Sequence, residues 1–206
     1  MSFKDLQLNK PLRRAVAEAG YDNPTLVQEK AIPAILDKKD VVVSAQTGTG
    51  KTAAFALPIL QLLFDQQDAP KRGKKIKALI VSPTRELAVQ IAKNFETSSP
   101  YTNLRTTVVF GGTSVEPQKD ILKKGVDILI ATPGRLLDLH KQTALHLDQV
   151  EVLVLDEADL MLDMGFIDDV RKIERLCPTE KQTLLFSATI PHKVEDLAKT
   201  ILNNPE

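Results

Sequence analysis

A chain of 206 residues with 43% hydrophobic content suits one α/β domain with a real core. Its 27 basic residues are balanced by 27 acidic ones, which excludes a chain-wide basic footprint and leaves any nucleic-acid binding to a local patch. One cysteine, Cys177, excludes an intrachain disulfide and is read as packing, and no apolar run is long enough for a membrane span or signal peptide, so the chain is expected to be cytoplasmic.

Helical patterns are expected first, over Lys10–Ala19 and Thr25–Leu36, with Pro11 and Pro24 where first-turn prolines are tolerated. Strands are then predicted at Asp40–Ser44, Ile76–Ser82, Arg105–Phe110, Val126–Ile130, Val150–Leu155 and Gln182–Ser187. Between them lie helical stretches at Thr52–Phe64, Glu86–Phe95, Val115–Lys124 and Phe166–Leu176, with Pro191–Leu202 after the last strand. The strands are dense in Val, Ile and Leu with little alternation, which predicts a mostly parallel sheet with helices on both faces. Pro70–Lys75, PKRGKK, is read as a solvated loop between a helix and a strand. No internal repeat is visible, and residues 1–36 are read as lead-in helices packed on a core of residues 37–206.

In chain order the strands open into AQTGTGKT, PTREL, GGT, ATPGR, DEAD and SAT. Ligands of an open parallel sheet bind outside the carboxyl ends of its strands, so one edge is chemically committed. Ala45, Gln46, Thr47, Gly48, Thr49, Gly50, Lys51 and Thr52 follow a strand and open a helix, the context a phosphate-binding loop requires. Gly48 and Gly50 let successive N–H groups turn toward an anion, and the helix N-terminus adds partial positive charge. Lys51 supplies a mobile charge for β- and γ-phosphates, and Thr52 a hydroxyl for Mg²⁺. The usual pattern begins with Gly where this chain has Ala45.

A second apolar strand ends in Asp156 and Glu157. A carboxylate at such a tip can hold Mg²⁺, and the adjacent Glu157 could position and deprotonate an attacking water. Lys51, Asp156 and Glu157 are therefore the catalytic candidates. Asp159 lies at the start of a helical stretch. His140, His146 and His192 have no metal-ligand spacing and are read as surface residues.

With both loops in place, the sequence resembles the first RecA-like domain of the DEAD-box ATP-dependent RNA helicases over nearly its whole length. Asp156-Glu157-Ala158-Asp159 matches the signature itself, and Gly20–Gln28, with Phe3 upstream, resembles the Q motif. The motif wording is similar to bacterial, RhlE-type members. The resemblance implies ATP and Mg²⁺ as ligands, with the amide of Gln28 pairing with adenine and Phe3 stacking on it. It implies that Pro83, Thr84, Arg85, Gly112, Thr132, Pro133, Gly134 and Arg135 contact RNA through its backbone. It further implies that Asp159, Ser187 and Thr189 couple hydrolysis to strand separation. Asn23 and Leu160 stand where relatives often carry basic residues.

The resemblance also implies a second RecA-like domain as partner, supplying arginines to the γ-phosphate. Nothing after Thr189 carries its motifs, so this chain is expected to be monomeric, to bind nucleotide, to hydrolyse it poorly and not to unwind duplexes. Three alternative readings share parts of this pattern. A helicase or translocase of the same superfamily acting on DNA would differ in whether RNA or DNA stimulates its ATPase. A non-enzymatic RecA-like binding module would have no need of Lys51, Thr52, Asp156 and Glu157. An unrelated P-loop ATPase would lack adenine selectivity through Gln28.

Overall fold

The computed structural model describes residues 1–66 and 75–206, so the expected loop at Pro70–Lys75 lies, but for Lys75, outside the described residues. A short 3-10 helix at Phe3–Leu6 comes first, followed by α1 (Lys10–Glu18), α2 (Leu26–Leu36), β1 (Val41–Ser44) and α3 (Lys51–Phe64). Next come β2 (Ala78–Val81), α4 (Arg85–Ser98), β3 (Thr106–Val109), α5 (Glu116–Lys124), β4 (Ile128–Ala131) and α6 (Pro133–Lys141). The chain continues with β5 (Val152–Leu155), α7 (Ala158–Asp163), α8 (Ile167–Leu176), β6 (Gln182–Ser187) and α9 (His192–Ile201).

The strands pair in the order β1-β6-β5-β2-β4-β3, and every pairing is parallel. Because side chains alternate along a strand, each strand feeds two separate cores. Ala78, Ile80, Ile128, Ile130, Val152, Val154, Leu184 and Phe186 pack with α1 to α4. Their neighbours Leu79, Val81, Leu129, Leu153, Leu155 and Leu185 pack with α5 to α9. Burial on both faces is why these strands show no polar alternation in sequence. Phe3, Leu6, Leu8, Leu12 and Val16 join the first core, so the N-terminal elements share it with α3 and the sheet.

The ends of several elements follow from local chemistry. Asn9 caps α1 by accepting from the Leu12 amide at 3.1 Å, and Pro11 sits in its first turn. Thr25 and Gln28 form a reciprocal capping box at the start of α2. Pro24 therefore precedes the cap instead of occupying the first turn. Two short elements escaped the sequence reading: the 3-10 helix, and α6, which is announced only by Thr132 at the cap and Pro133 at the first position. His146 and His192 are exposed, whereas His140 is half-buried on α6. Cys177 is buried in the second core, which pushes its thiol up to about 12, and it packs as expected.

Candidate functional site

Parallel pairing brings all six strand exits to one edge, and the strand order divides that edge in two. The loops after β1, β6 and β5 carry Ala45–Gly50, Ala188-Thr189 and Asp156-Glu157; those after β2, β4 and β3 carry Pro83-Thr84, Thr132 and Gly111–Thr113. The boundary is β5 against β2, where the Asp156 amide donates to the Val81 carbonyl at 3.0 Å.

On the first half, the loop turns through left-handed backbone at Gly48 (φ 83°) and Gly50 (φ 76°), and α3 begins at Lys51. Only glycine takes these angles without strain. The Ala45 amide is held by the Ser187 carbonyl at 3.0 Å, and the Thr49 hydroxyl donates to the Gln46 carbonyl at 2.6 Å. Thr52 follows Lys51 in the first turn of α3. Gln28 is buried and seated against the loop: its Nε2 donates to the Gly50 carbonyl at 3.1 Å, while its Oε1 accepts from the Thr25 amide at 3.0 Å.

Lys51 Nζ lies 2.5 Å from Glu157 Oε1 and 3.1 Å from Asp156 Oδ1. The first contact is a hydrogen bond; the second is a close ion pair without hydrogen-bond geometry, for Asp156 Oδ1 is buried and has no hydrogen-bond partner. Burial pushes the Asp156 carboxyl up to about 6, against the attraction of Lys51 and reinforced by Glu157. Burial works against the Lys51 ammonium as well, but the two carboxylates together outweigh it and leave its pKa raised. Glu157 itself sits in left-handed backbone (φ 55°), a conformation that costs a non-glycine residue about 1–3 kcal/mol and often marks functional sites. An orphaned carboxylate oxygen, buried beside a lysine and a second acid, fits a divalent cation whose remaining ligands come from phosphate and water.

Asp159 joins β5 to β6. Its Oδ2 accepts the Thr189 amide at 3.1 Å and the Thr189 hydroxyl at 2.9 Å, and its own amide donates to the Ser187 hydroxyl at 3.0 Å. That hydroxyl donates onward to the Thr189 carbonyl at 2.6 Å. Burial would raise the Asp159 carboxyl, but the donors from Thr189 and Leu160 outweigh it and hold the group below 3.8. The three residues proposed for coupling are thus one hydrogen-bonded unit.

On the second half of the edge, Thr84 caps α4 by accepting from the Leu87 amide at 3.3 Å, and Thr132 holds the equivalent place on α6 without a side-chain cap bond. Arg85 is exposed, its guanidinium 4.6 Å from the centre of the Phe110 ring. Gly112 takes φ 78°, and a Cβ built at Gly112 or at Gly134 meets nothing of the protein, so both leave open approach for a ligand. Arg135 differs from expectation. Its side chain is only 12% exposed, and it spends Nη1 on Gln118 Oε1 (3.0 Å) and Nη2 on the Thr113 carbonyl (2.9 Å).

Residues 25–197 match the family model described as DEAD/DEAH box helicase. The chain belongs to the DEAD/DEAH box helicase family. It is 49% identical over 204 residues to the DEAD-box ATP-dependent RNA helicase RhpA of Helicobacter pylori and 44% identical to the ATP-dependent RNA helicase DbpA of Bacillus subtilis. The match covers 99% of this chain but 40% and 41% of those proteins, so the chain spans less than half their length. Among solved structures, a DEAD box protein from Methanococcus jannaschii matches with a TM-score of 0.92 at 40% identity, covering all of this chain and 55% of that one. The fold of this helicase-family domain is therefore that of its solved relatives, the RecA-like sheet expected from the sequence.

The family's motifs do not all present themselves as the resemblance implied. Phe3 is 6% exposed and packs within the first core, about as deeply buried as Gln28 at 4%. Pro83 and Pro133 are buried. Arg135 is committed to protein partners, whereas Arg85 stands open. One polar residue at this edge was missed altogether. Gln118, buried on α5, donates Nε2 to the Phe110 carbonyl at 3.1 Å while receiving Arg135. Its spacing of four from buried Leu122 placed a glutamine on the apolar face of an amphipathic helix, which was the available signal.

Proposed function

We propose that this chain is the nucleotide-binding domain of an ATP-dependent RNA helicase, active in the cytoplasm and completed by a second RecA-like domain. The observation that carries this reading is the convergence of Lys51, Asp156 and Glu157 at a loop on which Gln28 is seated. Lys51 would transfer its attraction from the two carboxylates to the β- and γ-phosphates of ATP. Freed of Lys51, Glu157 is placed to orient and deprotonate the attacking water. Thr52 and Asp156 would hold Mg²⁺, which supplies charge to offset that of the phosphate oxygens. The Asp159–Ser187–Thr189 unit touches β5 and β6 together, so movement at the phosphates is carried to the loop beyond Thr189.

Selection of adenine is supported by what Gln28 has left to offer. Its amide has two donors and a two-lone-pair oxygen, and Gly50 and Thr25 use one of each. One donor and one acceptor remain, the complement of the N7 and N6 edge of adenine. Phosphate-backbone contacts by Thr84, Arg85, Gly112, Thr132 and Gly134 would track RNA without reading its sequence. The bacterial, RhlE-type assignment rests on motif wording alone, since the matched relatives also include the probable ATP-dependent RNA helicase DDX27 of human.

Calorimetric titration with Mg·ADP and Mg·GDP, for wild type and Gln28→Ala, tests the reading. Binding of ADP alone, weakened by the substitution, is expected. Equal binding of both nucleotides would leave a phosphate loop and remove the adenine site. The chain alone is expected to hydrolyse ATP slowly and not to unwind duplexes, because an arginine supplied from outside is worth several orders of magnitude.

A further inference from the structure

The three loops of the second half-edge leave strands β2, β4 and β3, whose ends are tied by backbone bonds from the Ser82 amide to the Ala131 carbonyl (3.0 Å) and from the Thr132 amide to the Val109 carbonyl (3.1 Å). Beyond those strand ends the loops are joined by a side-chain network centred on Gln118 and Phe110. The Phe110 ring lies under the Arg85 guanidinium at 4.6 Å, and the Phe110 carbonyl accepts from Gln118 Nε2 at 3.1 Å. Gln118 Oε1 accepts from Arg135 Nη1 at 3.0 Å, and Arg135 Nη2 returns to the Thr113 carbonyl at 2.9 Å. The path therefore runs from the loop after β2, through both sides of the loop after β3, to the start of α6 after β4.

We propose that Gln118 is a positioning residue for nucleic-acid binding, fixing the loops of Arg85, Gly112 and Gly134 as one rigid surface through Arg135 and the Phe110 carbonyl. The inference rests on the reading of this half-edge as the RNA-binding face. Two features favour positioning over simple core packing. Gln118 is buried on α5, where an apolar residue would fill the space without needing partners. Both ends of its amide are engaged, one by the backbone ahead of Gly111-Gly112 and one by Arg135. A buried polar side chain hydrogen-bonded at both ends fixes geometry more strictly than apolar contact does. The same network explains why Arg135 is turned inward. Its bond to Thr113 holds Gly111-Gly112 from beyond the loop, and its other bond goes to Gln118, which holds the loop from before it, at Phe110.

The test is an NMR titration of the chain with single-stranded oligouridylate, which reads weak affinities. Wild type, Arg85→Ala, Gln118→Leu, Arg135→Ala and the double variant Gln118→Leu/Arg135→Ala are compared, with Mg·ADP binding as a check on the fold. Gln118→Leu is expected to weaken RNA about ten-fold, the loss of two hydrogen bonds at the loops, while ADP binding is unchanged. The double variant is expected to be no weaker than the worse single one, because the residues act in series. Additive losses, or RNA affinity unchanged in Gln118→Leu while Arg85→Ala weakens it, would overturn the positioning role and leave the RNA face standing. Failure of wild type to bind, or indifference to Arg85→Ala, would overturn the RNA face and this inference with it. If Gln118→Leu does not fold, Gln118→Glu replaces it: that variant keeps an acceptor for Arg135 and loses the donor to Phe110, so RNA binding at wild-type strength counts against the proposal and weakened binding for it.

Discussion

Gln28 Nε2 donates to the carbonyl of Gly50 at 3.1 Å, and a Cβ placed on Gly50 would lie 2.4 Å from that same nitrogen. The phosphate loop and the first turn of α2 are thus fitted to each other with no room for a methyl group. Gly48 has a similar left-handed backbone (φ 83° against 76°) but open space around it. Gly48→Ala is expected to cost about 1–2 kcal/mol, the backbone penalty alone. Gly50→Ala should cost clearly more, since a buried amide must also move. Urea denaturation of both variants measures the difference. Adding Gln28→Ala should return part of the Gly50→Ala loss, and equal losses for the two alanines would show that the seat is loose.

Asp159 gives a second prediction, with a direction in pH. Its carboxyl is held below 3.8, so it contributes stability that is present above that value and is lost as pH falls through the lower, folded-state value. Asp159→Asn removes the charge and keeps the shape. The variant should be less stable at pH 7, and the gap in urea midpoint should narrow only below about pH 4. Thr189→Val should remove the hydroxyl bond and be non-additive with Asp159→Asn, as expected of residues in contact. A constant gap from pH 7 to pH 3 would show that the charge of Asp159 contributes nothing.

How much of this was legible depended on the kind of interaction. All six strands were found because burial on both faces forces runs such as Ala78–Val81 and Val152–Leu155 to be apolar throughout. Lys51, Asp156 and Glu157 were legible because strand, glycine turn and helix dictate where a phosphate sits. Arg85 and Arg135 looked alike in sequence, each near a helix start after a Thr-Pro or Pro-Thr pair. They part company through residues far away in the chain: Phe110 lies beneath one, while Gln118 and Thr113 consume the other. Periodicity does not carry such pairings. The same holds for Phe3, where an isolated aromatic gives no sign of whether its ring faces a ligand or a core.

Glu157→Gln separates binding from chemistry. The amide keeps the volume and can still meet Lys51 through its oxygen, but it cannot take a proton from water. Calorimetry should show Mg·ADP binding within a few-fold of wild type. In a chain carrying the second domain, ATP turnover should fall by about 10²–10⁴. Turnover at the wild-type rate would remove Glu157 from the role of base.

Lys51→Ala should expose the electrostatic strain that Lys51 now relieves. Without its ammonium, Asp156 and Glu157 face each other with Asp156 Oδ1 buried, and the Asp156 carboxyl should rise beyond its present value of about 6. A carboxyl whose folded-state pKa is raised favours the fold while protonated, so its contribution is fully present below the unfolded value and is lost as pH rises through the folded one. The metal-free, nucleotide-free variant should therefore be destabilised by about 1–3 kcal/mol at pH 7.5, toward the low side for a broken buried pair because Glu157 keeps some contact with solvent. The deficit should shrink at pH 5.5, where Asp156 takes up a proton. Urea midpoints of wild type and variant at the two pH values decide it. A deficit equal at both would mean that Asp156 does not carry the strain, and that Lys51 is held here chiefly by Glu157.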